Sequence, residues 1–161
     1  MGTEKKISEL VFTLQKAIPE AVSGRPVKLA YLYGSSASGK TTPLSDFDIA
    51  LFLDPNQIHT IDPYSRLIFE MDVALALEKL TGLSEFDVRV INDAPLMLQG
   101  IVVQRGHLLY SDEDEFRVGY ETLTLKMYLD FLPIAEQFQT AYFERRRAEL
   151  RALREKGWNY D

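Results

Sequence analysis

Two apolar, β-prone runs, Val27 to Tyr33 (VKLAYLY) and Asp46 to Leu53 (DFDIALFL), bracket twelve residues, GSSASGKTTPLS, that carry almost no large apolar side chains. Short apolar runs bounded by Gly, Pro and Ser predict buried strands. Two of them this close in sequence predict a sheet whose second strand begins directly after a glycine-rich loop. That strand opens with carboxylates at positions 46 and 48. Residues i and i+2 of a strand share a face, with Cα atoms roughly 7 Å apart, and Phe47 between them turns to the opposite face. Two carboxylates about 4 Å apart repel by about 4 kcal/mol at an effective dielectric of 20. Divalent cations are the natural compensation, and a pair of them suits chemistry on a phosphoryl group.

The same loop also spells the P-loop pattern G-x-x-x-x-G-K-[ST] from Gly34 to Thr41. A P-loop works because a helix starts at its lysine and aims its N–H groups at the phosphates. Here Thr42, Pro43, Leu44 and Ser45 lead straight into the second β run, which leaves no room for that helix. The Gly-Lys-Thr is therefore read as incidental to a Gly/Ser/Thr-rich loop.

A different pattern uses more of the residues. Gly34-Ser35 is followed, after ten residues, by Asp46-Phe47-Asp48. This resembles the G-S-x(10)-D-x-D signature of the DNA polymerase β-like nucleotidyltransferase superfamily. Gly34 and Ser35 then open a turn whose N–H groups and hydroxyl grip the β- and γ-phosphates, and Asp46 and Asp48 ligate two Mg²⁺ ions. The segment Glu85 to Pro95 (EFDVRVINDAP) resembles the "vDvvxLnxAP" strand of the same superfamily. The resemblance makes Asp87 the third carboxylate, ligating one metal and helping to take the proton from the acceptor hydroxyl. Glu85 shares a face with Asp87 and is the fallback ligand, while Asp93 is expected to cap the helix that starts near Pro95.

Other polar residues have plainer readings beside the functional ones. Lys40 either neutralises triphosphate charge or is a solvated loop lysine. Ser45 either supports Asp46 and the phosphates or is an ordinary loop serine. Arg89, two residues after Asp87, touches substrate or balances the acidic cluster. His59 and His107 have no second ligand at metal spacing and are expected to be structural. The superfamily often places arginines just after G-S, where this chain has Ser36 and Ser38.

Along the chain, Ile7, Leu10, Val11, Leu14 and Ile18 have helical spacing, so a helix is expected over residues 4–21. A second is expected from Pro63 to Leu80, on Leu67, Ile68, Met71, Ala74, Leu75 and Leu80, closed by Gly82. Phe86 to Ile91 alternates like a strand. A short helix over residues 94–104 and a last strand over residues 107–110 complete an α+β body, a small mixed sheet flanked by helices, spanning residues 1–112. Residues 113–161 read as a helical extension, with a kink or break expected near Pro133. Its Leu125, Tyr128, Leu129, Leu132, Phe138, Tyr142 and Phe143 are too apolar to stay uncovered. They are expected to meet the body, a second copy or a partner, so a homo-oligomer stays open.

The short body and this tail (YETLTLKMYLDFLPIAEQFQTAYFERR) are similar to the minimal nucleotidyltransferase (MNT, MntA-type) family, antitoxins that pair with HEPN-domain toxins. The resemblance implies that ATP binds at Gly34-Ser35 and that AMP passes to a tyrosine of the HEPN partner, silencing it. Two other readings stand beside it: a non-catalytic antitoxin or scaffold that neutralises by binding alone, and a small-molecule nucleotidyltransferase. Composition excludes several further classes. A net charge of -6 over 161 residues argues against direct nucleic-acid binding, which needs a basic face. No cysteine is present, which removes thiolate zinc sites and cysteine nucleophiles. No apolar run reaches the roughly 20 residues of a membrane span. A cytoplasmic location is expected.

Overall fold

The computed structural model describes residues 2–38, 46–58 and 61–155. The elements run α1 (Gly2–Ala21), β1 (Val27–Tyr33), α2 (Gly34–Ala37), β2 (Phe47–Leu53), α3 (Pro55–Ile58), α4 (Pro63–Thr81), β3 (Phe86–Val90), α5 (Leu96–Arg105), β4 (His107–Ser111) and α6 (Asp114–Glu155). The four strands form one mixed sheet in the order β3-β2-β1-β4. β1 pairs antiparallel with β2 and β4, whereas β2 and β3 run parallel, joined by the helical crossover that parallel strands require. The expected α+β architecture is the one observed.

Alternation along the strands divides the core into two layers. On one face Ala30, Leu32, Ile49, Leu51, Leu53, Val88 and Val90 pack with Leu14 and Ile18 of α1 and with Val73 and Leu77 of α4. On the other, Leu29, Tyr31, Ala50, Phe52 and Ile91 pack with Val102 of α5 and with Phe116 and Tyr120 from the start of α6. Phe52 meets Tyr120 at 4.3 Å between ring centroids. Val27 and Leu29 fall in different layers although both are odd-numbered. The register shifts between them against β2, and such a bulge reverses the side-chain parity of the strand beyond it.

α4 is delimited as its sequence suggests. Asp62 accepts hydrogen bonds from the N–H groups of Tyr64 and Ser65, and Gly82 closes the helix in the left-handed region at φ 72°. The buried face is unexpected. Val73 and Leu77 are fully buried, while Leu67, Met71 and Leu75 are 52%, 52% and 60% exposed. The residues that supply the helical periodicity thus lie mostly on the outward side.

Two further expectations are corrected. Asp93 does not cap α5: the N-cap position is Pro95, without a side-chain cap. The Asp93 carboxylate instead accepts from Arg66 of α4 at 2.8 Å. Of the kink or break expected near Pro133, the break is not found: α6 runs as one helix from Asp114 to Glu155. Pro133 lies at an exposed position, where a lost helical hydrogen bond costs least because water replaces it. The chain forms two compact units, residues 1–125 and 126–161. The first holds the sheet, α1 to α5 and the opening turns of α6. The second contains the rest of α6, on which Phe138, Tyr142 and Phe143 are 72%, 63% and 51% exposed. Among the described residues no helix is long and apolar enough to cross a membrane.

Candidate active site

The strand ends that carry the acidic residues lie side by side. In the sheet register Tyr33 of β1 faces Asp48 of β2, and Asp48 faces Asp87 of β3. Three strands therefore deliver a phenol and two carboxylates in one row. By alternation the row falls on the same side of the sheet as Tyr31, Ala50 and Ile91. Asp46 stands immediately before β2, exposed, two residues ahead of Asp48.

Gly34 follows Tyr33 with φ 73°, a conformation that glycine adopts without the Cβ penalty of other residues. Its second constraint is space: a Cβ on Gly34 would overlap the Asp48 carboxylate and lie 2.9 Å from the Asp48 Cγ. The main chain thus turns directly beneath that carboxylate. From Gly34 to Ala37 it makes the single helical turn α2, whose N-cap is Tyr33 with no side-chain cap. The Ser35 carbonyl accepts from the Ser38 N–H and hydroxyl at 3.2 and 3.1 Å.

Ser36, 1% exposed, donates from its hydroxyl to the Asp46 carbonyl at 2.9 Å. It ties the first turn of the loop to the residue that ends it. His107 Nε2 is 3.0 Å from the Ala37 carbonyl, which gives that histidine the structural role expected of it. Lys40, Ser45 and His59 lie outside the described residues.

The electrostatics of the row follow from its composition. Burial raises the Asp48 pKa above the ordinary carboxylate value, and the nearby Asp87 and Asp46 charges push it the same way against the pull of Arg89. Burial likewise raises Tyr33, with Asp48 and Asp87 adding to the shift. Arg89 grips Asp87 through both ends of the carboxylate. Its Nε donates to Oδ1 at 3.2 Å and to Oδ2 at 3.0 Å, and its Nη2 to Oδ2 at 2.8 Å. That hydrogen bonding holds the guanidinium above its usual pKa. The contact with Asp87 is the one that charge balance within the acidic cluster calls for.

The donor set of Asp46, Asp48 and Asp87 has the oxygen chemistry that Mg²⁺ prefers. The carboxylates are not drawn together. Among the described residues no three acidic or histidine side chains converge closely enough to hold an ion as they stand, and both oxygens of Asp87 are engaged by Arg89. The residue types fit a metal pair once Arg89 releases Asp87.

Three members of this neighbourhood carry weak sequence signals. Tyr33 reads as a strand residue, Ser36 as a departure from a pattern, and the grip of Arg89 only as a shared face. Asn92 is a fourth. Its side chain accepts from the Leu53 N–H and donates to the Leu53 carbonyl, both at 2.9 Å, and so completes the end of β2 like one more backbone partner.

A family profile described as "Polymerase beta, Nucleotidyltransferase" matches residues 15–115, which takes in Gly34, Asp46, Asp48 and Asp87. Similar solved structures share the fold at low identity. A chain from "the toxin-antitoxin with AMP-PNP" is 23% identical with a TM-score of 0.56, covering 85% of this protein and 98% of that chain. A chain from the complex of a tri-AMPylated Shewanella oneidensis HEPN toxin with its MNT antitoxin is 20% identical, with a TM-score of 0.53 and coverage of 88% and 98%. A further Shewanella oneidensis structure is 19% identical with a TM-score of 0.57, covering 83% and 97%. No curated protein matches the chain.

Proposed function

The chain belongs to the Polymerase beta nucleotidyltransferase family, and we propose that it transfers AMP from ATP to a tyrosine of a HEPN-domain toxin, acting as that toxin's antitoxin. The observation that carries this reading is the in-register pair Asp48 and Asp87, with Asp48 seated over Gly34. Carboxylates on neighbouring strands beside a side-chain-free turn suit a triphosphate and its metal ions. Structures whose descriptions name AMP-PNP and an AMPylated HEPN toxin share this fold. The apolar residues Phe138, Tyr142 and Phe143, exposed on α6, support a protein partner.

In this reading Gly34 and Ser35 hold the β- and γ-phosphates, the missing Cβ allowing the main chain to approach. Asp46, Asp48 and Asp87 would hold the Mg²⁺ ions. Bound Mg²⁺ supplies the positive charge that activates the attacking oxygen and stabilises the departing pyrophosphate. The tyrosine oxygen bonds to the α-phosphorus as the bond from that phosphorus to the pyrophosphate oxygen breaks. The phenolic proton passes to the Asp87 carboxylate. Arg89 must first release Asp87, and its guanidinium is then free to face the triphosphate. Lys40 and Ser45 are assigned to the same triphosphate.

One observation favours the binding-only antitoxin: Asp87 spends both oxygens on Arg89. One experiment separates the two readings. The protein is incubated with labelled ATP, Mg²⁺ and the protein encoded beside its gene. AMP transfer that disappears with Asp46→Ala plus Asp48→Ala supports the enzyme. Neutralisation that survives both substitutions with no transfer at any stage supports the binder.

A further inference from the structure

The second core layer holds three tyrosines, Tyr31, Tyr33 and Tyr120. Two of them spend their hydroxyls inside the fold: Tyr31 donates to Glu121 at 2.8 Å and Tyr120 to Gln99 at 3.0 Å. A tyrosine packed against a core ordinarily finds such a partner. Among the described residues the Tyr33 hydroxyl has none, and solvent reaches it. The charged groups around the two strand tyrosines also differ. Glu121 and Arg117 act on the Tyr31 phenol, whereas Asp48, Arg89 and Asp87 act on that of Tyr33. The Tyr33 hydroxyl therefore belongs to the acidic row and is uncommitted there.

The turn that follows Tyr33 narrows the choice of donors. Ser36 gives its hydroxyl to the Asp46 carbonyl and Ser38 to the Ser35 carbonyl. Within residues 33–38 only the Tyr33 and Ser35 hydroxyls are left to a ligand. Strand order then decides which part of a nucleotide Tyr33 meets. Asp87 on β3, Asp48 on β2 and Tyr33 on β1 stand in one register row, its outer members roughly 10 Å apart across two strand spacings. In the transferase reading, on which this inference rests, the acceptor oxygen enters at Asp87. The β- and γ-phosphates lie at Gly34, the residue joined to Tyr33. From β3 to β1 the row then follows the attacking oxygen, the α-phosphorus and the departing pyrophosphate, the order of an in-line displacement.

We propose that Tyr33 is a catalytic residue of the transfer, its hydroxyl donating a hydrogen bond to the oxygen that leaves the α-phosphorus with the pyrophosphate. As the acceptor oxygen bonds to the α-phosphorus, the bond to the pyrophosphate oxygen breaks and its electron pair stays on that oxygen. The phenol meets the growing charge and keeps its own proton throughout. A fixed donor aimed at charge that develops in the transition state lowers the barrier. The ionised carboxylates of the row are acceptors only, so the donor must come from another member, and Tyr33 is the member on the departing side.

The test compares the unmodified protein with Tyr33→Phe, which removes one solvent-reached oxygen and keeps the ring. Single-turnover AMP transfer to the protein encoded beside its gene is followed with ATP labelled at the α-phosphate. The same rates are measured with analogues whose β,γ-bridging oxygen is replaced by CF2, CHF or CH2. These leave the broken bond unaltered and make the leaving group progressively poorer. With ATP, Tyr33→Phe is expected to lower the rate by about ten- to a hundredfold, as loss of a hydrogen bond to a charged group does. ATP affinity should change far less, and Mn²⁺ affinity and the thermal melt should stay as they are. The loss should grow from the CF2 to the CH2 analogue, because the poorer leaving group depends more on the donor. An equal loss with every analogue, or a loss that accompanies weaker Mn²⁺ binding or an earlier melt, makes Tyr33 a support of the row and overturns the inference. Tyr33→Phe at the unmodified rate also overturns it. Each of these outcomes leaves the transferase reading intact. Unmodified protein that transfers no AMP overturns that reading and the inference with it.

Discussion

Asp48 closes over Gly34 so tightly that any side chain on the glycine would meet the carboxylate: a Cβ would stand 2.9 Å from Cγ. The left-handed φ of 73° adds a second, independent demand for glycine. The pairing links the turn assigned to the phosphates with the strand assigned to the metal ions, so a change in one moves the other.

Gly34→Ala is expected to cost about 1–3 kcal/mol of stability from the backbone conformation alone. It should also displace Asp48 and lower AMP transfer by about a hundredfold or more, as misplacement of a reacting group does. Folded protein with ordinary activity, judged by thermal melting and a labelled-ATP assay, would contradict the pairing.

The raised Asp48 pKa has a consequence for stability without metal. Burial and the Asp87 and Asp46 charges disfavour its ionised form in the folded state, so the folded chain binds a proton more readily than the unfolded one. Stability then falls as pH rises from the ordinary carboxylate pKa of 3.8 through the raised folded value. Asp48→Asn should remove this dependence and stabilise the metal-free protein at neutral pH, by roughly a few tenths of a kcal/mol after solvent screening. Thermal melts in chelator from pH 4 to 7 measure it. Added Mg²⁺ should raise the melting temperature of the unmodified protein and leave Asp48→Asn nearly unmoved.

Arg89 competes with cations for Asp87, since its guanidinium occupies both oxygens. Arg89→Ala is expected to strengthen Mn²⁺ binding severalfold in calorimetry. Unchanged Mn²⁺ affinity would mean that Asp87 takes no part in holding the ion.

The buried Ser36 hydroxyl holds the Asp46 carbonyl. Ser36→Ala should cost about 1 kcal/mol and lower metal affinity with Asp46, while Ser36→Thr should retain most of the bond. A melt and a Mn²⁺ titration on each variant distinguish loss of the link from a general loss of fold.

Local patterns made the elements legible. β1 runs from Val27 to Tyr33 in both sequence and structure, and α4 begins at Pro63 and closes at Gly82 as its sequence signals indicate. What periodicity did not convey is which side of α4 is inside, because apolar residues occupy both: Val73 and Leu77 face the sheet, Leu67 and Met71 face out. In the candidate site, Gly34, Ser35, Asp46 and Asp48 were visible because they cluster in one stretch of chain. The Ser36 bond to Asp46, the side-chain pairing of Asn92 with Leu53 and the Arg66 ion pair with Asp93 join residues 10, 39 and 27 positions apart. Such partners depend on strand register and crossover length, which no local window contains.

β3 is the rim of the sheet, while β2 is flanked on both sides. The carboxylate assigned to the nucleotide therefore sits on an enclosed strand, and the one assigned to the acceptor sits at the border, next to an outward helix face. Such an arrangement is modular. A substitution confined to β3 would therefore alter the carboxylate assigned to the acceptor while leaving Asp48 and its glycine turn in place.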